Sequence, residues 1–303
     1  MDLSPQSIIS GIMASSFAHE RANHLQEEGQ ELSSSGNDHE ALRRYHQALT
    51  LEPDRPHTLY NIGLIHKYRR EWRESFDYNL QAYLLRPEDE ATKWNLAIAA
   101  TALRDWATAR RIWGECGINI HGQTGPISMN FGKAPVRLNP DSEGEVVWGS
   151  RIDPVRTVLR NIPLPESGFR YLDIVLNDGA PDGSRISQGQ EYHVFNVLGV
   201  FEPSHWSTYC AAIYAPDPEG LALLQALAQE LEMGFEDWTN SIRTLCRACS
   251  EGTPHEHSTE SDWTPDRRVG LSATERSHID GLLRMWTNRQ SGRVEEVSLK
   301  LQA

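Results

Sequence analysis

The sequence predicts a multidomain α + β protein: an all-α N-terminal solenoid of repeated helix pairs, then a β-rich domain, then a small α/β zinc-binding region. Three observations predict it. Small-residue and aromatic columns recur every 34 residues through the first third of the chain. Turn signals then separate short β-prone runs. Near the C-terminus, Cys246-Arg247-Ala248-Cys249 is followed by His255-Glu256-His257. The expected boundaries are an arm or helix over 1–17, repeats over 18–120, a β-rich domain over 127–215 and an α/β region over 216–303.

With 303 residues the chain is long enough for two or three domains. Hydrophobic residues at 39% and charged residues at 23% are an ordinary globular balance, which excludes wholesale disorder. No stretch approaches the roughly 18–20 uninterrupted apolar residues of a membrane helix. The apolar patch from Ile8 to Phe17 has only Asp2 before it and no Lys or Arg, so it reads as a short helix or arm and not a secretory signal. A bacterial-type cytoplasmic protein is the default expectation.

Net charge is −13, which argues against a nucleic-acid partner, because phosphate binding needs a concentrated basic surface. The charge is unevenly placed. Residues 18–117 carry a net −3, whereas residues 118–303 carry a net −9. A basic protein or peptide would be steered toward the second part; the bland alternative is solubility. The four cysteines are too few for a disulfide framework, and two of them sit in one CxxC, the spacing of a metal or redox site in a reducing compartment.

The repeat rests on several independent columns. Gly29, Gly63 and Ala97 share one step, as do Ala41, Ser75 and Ala109, and Ala48, Ala82 and Cys116. Pro53 and Pro87 keep the same step, as do Trp72 and Trp106. A small residue at a fixed place on each helix lets two backbones approach, and large residues such as Leu25, Tyr45, Leu59, Ile62, Leu96 and Trp113 fill the space between. Proline ends the second helices because it cannot continue their hydrogen-bond ladder. Ser35-Gly36-Asn37-Asp38 supplies a turn.

This pattern resembles the tetratricopeptide repeat family over about a third of the chain. The resemblance implies a right-handed solenoid whose groove, lined by the first helix of each repeat, takes an extended peptide or a helix. It puts Gln30, Tyr60, Asn61, Leu64, Lys67, Trp94, Asn95, Ile98 and Thr101 on or near that groove, with Tyr60, Asn61, Lys67, Trp94 and Asn95 as the partner-binding candidates. Asn61 and Asn95 occupy equivalent places, where the family commonly bonds a ligand backbone; the first repeat has Glu27 there. The basic residues a two-carboxylate clamp requires are few, only Lys67 and Lys93. For each groove candidate the competing reading is a helix–helix packing contact. The run His66 to Arg70 reads mainly as C-terminal capping of its helix.

Gly117, Gly122, Gly125 and Pro126 break the helical pattern. Beyond them lie β-prone runs at Val146–Trp148, Tyr171–Leu176, His193–Val197 and Thr208–Tyr214. Asn139-Pro140-Asp141, Asp178-Gly179 and Pro181-Asp182-Gly183 read as the turns between them. Asp217 to Met233 is an amphipathic helix, expected to pack on the sheet as a β-α unit. Ala273 to Trp286 is a second helix, and the last dozen residues read as loose or as a cap on a neighbour.

Cys246 and Cys249 can bite one zinc ion through the turn between them, and His255 and His257 can complete a tetrahedron. A structural zinc knuckle is the favoured reading. A redox CxxC, a catalytic zinc with an open position and an unmetallated loop stay open as alternatives. Enzyme motifs are otherwise missing: the sequence has no P-loop, GxGxxG or GxSxG. His19-Glu20 with His24 is no metalloprotease motif, since five helical residues turn about 500° where a proper pair turns about 400°. Asp173, Asp178 and Asp182 read as structural turn carboxylates.

The C-terminal part is also similar to a group of uncharacterised bacterial repeat proteins that end in a Cys-rich, His-rich segment. Gly144-Glu145-Val146-Val147-Trp148, the run Ile162 to Gly168, and Leu245 to Ser250 with Pro254 to His257 carry that likeness. It implies architecture only. The reading that follows is a cytoplasmic interaction protein and not an enzyme, one form of it a bacterial immunity protein that blocks a toxin. The alternative is a hydrolase or transferase with its site in the β-rich domain and repeats that recruit substrate.

Overall fold

The computed structural model describes residues 5–142, 144–239 and 263–303. They divide into two compact units at Ile127/Ser128.

The first unit is six helices in antiparallel pairs: α1 (Pro5–Ser34), α2 (Asp38–Leu51), α3 (Pro56–Tyr68), α4 (Trp72–Leu85), α5 (Glu90–Ala102) and α6 (Trp106–Glu115). Of the arm or helix expected at 1–17, the part from Pro5 on is helix continuous with the first repeat, because α1 runs unbroken from Pro5 to Ser34. Each pair is closed by the same device. Gly36, Arg70 and Arg104, spaced 34 residues apart, all take positive φ, at 79°, 62° and 60°. The next N–H in each case reaches back five residues: Asn37 to the Leu32 carbonyl, Glu71 to His66 and Asp105 to Ala100. This is the left-handed cap that satisfies the orphan carbonyls of a helix end. Pro56 and Asp89 start the following helices, and the Asp89 carboxylate accepts from the Thr92 N–H at 2.8 Å.

The glycine column does what its spacing predicts. A methyl group on Gly29 would lie 2.5 Å from Tyr45 Cε1, and one on Gly63 would overlap the Asn79 side chain. Ala41, Tyr45, Ile62 and Ile65 fill the seam around them. After α6, the Arg110 guanidinium ties down the glycine-rich exit. Its Nη1 donates to the His121 and Gly122 carbonyls at 2.8 and 3.0 Å, and its Nη2 to Gly125 at 3.1 Å.

The second unit opens with a closed five-stranded barrel in the order β1-β2-β3-β4-β5: β1 (Lys133–Leu138), β2 (Glu145–Arg151), β3 (Arg156–Leu159), β4 (Ile174–Ser187) and β5 (Gln190–Glu202). Neighbours are antiparallel except β1 and β5, whose parallel pairing closes it. Val136, Leu138, Val147, Leu159, Val175, Phe195 and Val197 form its interior. Asn139-Pro140-Asp141 does turn the chain between β1 and β2. Asp178-Gly179 and Pro181-Asp182-Gly183 do not separate strands: β4 passes through them, its register against β5 shifting by bulges.

A four-stranded antiparallel sheet follows in the order β7-β8-β6-β9, from β6 (Ser207–Tyr214), β7 (Gly234–Asp237), β8 (Asp266–Ala273) and β9 (Arg293–Leu301). The boundary expected at 215 is therefore displaced, since β6 pairs with β8 and β9 and not with the barrel. The C-terminal dozen residues are not loose; they supply β9. Helices α7 (Pro218–Glu230) and α8 (Arg276–Thr287) lie on this sheet. Leu224, Leu227, Ile279, Leu282 and Trp286 are buried against Tyr209, Ala211, Ile213, Val269 and Leu271. Each such aliphatic side chain contributes about 1.5–3 kcal/mol on burial. Trp286 also donates its indole N–H to the Gly220 carbonyl at 2.7 Å, locking α8 to α7. Among the described residues no helix is long and apolar enough to cross a membrane.

Candidate partner-binding groove

The candidate groove face belongs to α1, α3 and α5. Two polar side chains of α1 are used inside the protein. Gln26 Oε1 accepts from the Thr58 hydroxyl at 2.6 Å and from Arg55 at 3.2 Å, and Asn23 Oδ1 accepts from Arg55 at 2.7 Å. This polar seam joins the first repeat to the second. The sequence reading missed it, although Asn23 and Gln26 lie nearly one helical turn apart and so share a face.

The five partner-binding candidates fall into two groups. Tyr60, Asn61 and Trp94 are half-buried. Lys67 and Asn95 are 3% and 5% exposed, so a ligand meets only the edges of those side chains. The Lys67 ammonium sits 4.4 Å over the ring of Tyr68, which is itself exposed. Trp94 rests on Trp113. Of the other positions named for the groove, Gln30 is exposed and Leu64 half-buried. Ile98 and Thr101 are inside the core, and Thr101 returns its hydroxyl to the Ala97 carbonyl at 2.7 Å. The first-helix pattern could not separate these two from surface positions, because α5 is apolar nearly all round.

Asn61 is distinctive chemically. It lies beside the Tyr45 hydroxyl, which burial pushes up to about 12 and which Asn61 partly offsets. Its Nδ2 is itself shielded from solvent.

The basic run closing α3 is held within the fold. His66 Nδ1 lies 2.5 Å from Glu71 and its ring stacks on Tyr78, centroids 5.7 Å apart. Arg69 reaches Asp38 at 3.9 Å. Burial, and then the neighbouring His66, lower the basicity of His46, whose ring also meets Tyr78.

The four proposed zinc ligands, Cys246, Cys249, His255 and His257, lie outside the described residues. Among the described residues no three His, Cys, Asp or Glu side chains converge as a metal site. Asp173, Asp178 and Asp182 are each tied to backbone or to a cation. Asp173 accepts from the Arg170 and Ser204 N–H groups at 2.8 and 2.7 Å, although burial raises its pKa. Asp182 pairs with Arg137 at 2.6 Å.

No family model matches the chain. Over 74 residues it is 36% identical to the Photosystem I assembly protein Ycf3 of Synechococcus elongatus, and equally to that of a second Synechococcus strain. The match covers 23% of this chain, which spans 43% of the length of those curated relatives. Similar solved structures include the second tetratricopeptide repeat domain of Spaghetti (RPAP3) bound to the HSP90 peptide SRMEEVD, with TM-score 0.34, 16% identity, and 36% of this chain covering 93% of that one. The first such domain of Spaghetti, bound to the same peptide, gives TM-score 0.30 and 18% identity over 32% and 76% of the two chains. The Sgt2 repeat domain from Aspergillus fumigatus gives 0.29 and 19% over 31% and 62%. The N-terminal helical repeats resemble tetratricopeptide repeats. Their own geometry carries that statement: three helix pairs, one spacing, and one cap repeated at each turn.

Proposed function

We propose that this protein holds a partner protein, gripping an extended peptide or a helix along the face formed by α1, α3 and α5. Asn61 carries the reading, because it is a half-buried amide side chain on α3, at the place where a ligand backbone would be hydrogen-bonded. Tyr60 and the open part of Trp94 supply aromatic surface beside it. The protein acts by binding and not by catalysis. A basic partner suits the net −9 carried by residues 118–303, and a bacterial immunity protein that neutralises a basic toxin is the finer form of the proposal. A zinc knuckle at Cys246, Cys249, His255 and His257 would stiffen the second unit.

The test is affinity capture from the native cell, followed by calorimetry with the captured partner. Asn61→Ala should weaken binding by about 1–2 kcal/mol, read at a temperature where both proteins are folded. Equal affinity of the two proteins would remove the groove from the binding surface.

A further inference from the structure

The second unit contains a crevice that the groove reading does not use. It lies where the end of α7, the start of β7, the end of β8 and the first turns of α8 meet, and its volume is about 390 Å3. Trp206, Met233, Leu282 and Met285 form its apolar wall. Tyr171 holds Trp206 edge-on, with ring centroids 5.6 Å apart. The rim is polar, with the exposed His278 imidazole of α8 and the Glu232 carboxylate.

Gly281 makes this crevice more than a gap between elements. It lines the space from the interior of α8, where glycine destabilises a helix relative to alanine. A close neighbour would explain such a glycine, as Asn79 explains Gly63. At Gly281 a methyl group would meet no atom within 4 Å. Among the described residues nothing demands glycine at this position. A side chain there would fill the crevice instead.

We propose that the crevice binds a small, uncharged amphipathic molecule with an aromatic body and one hydrogen-bonding end. Its volume falls within the roughly 300–1,000 Å3 of small-molecule sites, which are likewise apolar with few polar groups. Trp206 offers a ring to stack on, and the two methionines adapt to an aromatic body through their polarisable sulfurs. The rim sets the polar end. Glu232 opposes an anionic group, and the Glu232 carboxylate and His278 imidazole offer hydrogen bonds to a neutral donor-acceptor group.

1-Aminonaphthalene, a neutral fluorescent molecule with one aromatic body and one amino end, is the probe. Titrated into the full chain, it should bind saturably, with blue-shifted emission excited by energy transfer from tryptophan. Gly281→Leu should melt no lower than the parent and bind the probe about ten-fold more weakly or worse, because the leucine occupies the same volume. Should Gly281→Leu fail to fold, Gly281→Met repeats the test with a more flexible side chain. No saturable binding by the parent, or parental affinity in the filled variants, overturns the proposal. Asn61→Ala should leave the titration unchanged. Loss of probe binding there, with retention in Gly281→Leu, would put the probe on the repeats and overturn it too.

Discussion

The Trp94 indole meets the Trp113 indole edge to face, with ring centroids 4.9 Å apart and planes at 72°. Trp113 is fully buried in α6, so one side of Trp94 belongs to the interior of the third repeat. Trp94→Ala should therefore destabilise the protein by about 2–4 kcal/mol, visible as a lowered thermal transition. An unchanged transition would instead make Trp94 a free anchor for a ligand. Asn61 is the cleaner groove probe, since removing its amide leaves no cavity of comparable size.

Gly63 is held against a buried polar pair. The Ser75 hydroxyl donates to the Gly63 carbonyl at 2.9 Å, and Asn79 Nδ2 donates to the Ser75 carbonyl at 2.7 Å. Gly63→Leu should displace Asn79 from this arrangement and cost about 1–3 kcal/mol. Denaturant unfolding of the two proteins measures it, and equal midpoints would show that α3 and α4 are not in close contact.

The Tyr45 hydroxyl predicts an alkaline limb in stability. Burial raises it from about 10 to about 12, so the folded state keeps a proton that the unfolded chain has lost. A raised pKa contributes stability that is complete below about pH 10 and is lost as pH climbs through 12, by roughly 2–3 kcal/mol for this residue. Tyr45→Phe should flatten that limb. Tyr78 is raised too, by burial, so some slope should persist. A parental limb of full size in Tyr45→Phe would place the titrating group elsewhere.

Cys246, Cys249, His255 and His257 are a four-ligand set on sequence grounds alone. Protein purified without chelator should carry about one zinc per chain by elemental analysis. Cys249→Ser should reduce that content, and a parent free of zinc would leave the CxxC as an unmetallated loop.

The repeat was legible because every column that makes it is local. Gly29, Gly63 and Ala97 report helix contacts within one repeat or between neighbours, and that contact recurs at a fixed spacing. The barrel was not. β1 has an alternating signal in Ala134, Val136 and Leu138, but Pro135 demotes the run, and only its place against β2 and β5 makes it a strand. Turn residues misled at Pro181-Asp182-Gly183, because a bulged strand and a hairpin turn use the same residue types. In the candidate groove, residue type marked Asn61 as a position of interest. It could not reveal that Lys67 and Asn95 lie mostly buried or that Ile98 and Thr101 lie inside.

By itself, then, the sequence determined the helix pairs, their caps, the charge imbalance and the position of a metal-binding spacing, all properties of neighbouring residues. Only the tertiary structure decided which strands meet. β9 shows why: Val294, Val297, Leu299 and Leu301 lack strict alternation because the register against β6 shifts between Ala212 and Ile213. The pattern reads as a loose tail until β6 is placed beside it. The space over Gly281 has the same origin, since an empty volume is set by four elements at once and written in none of them.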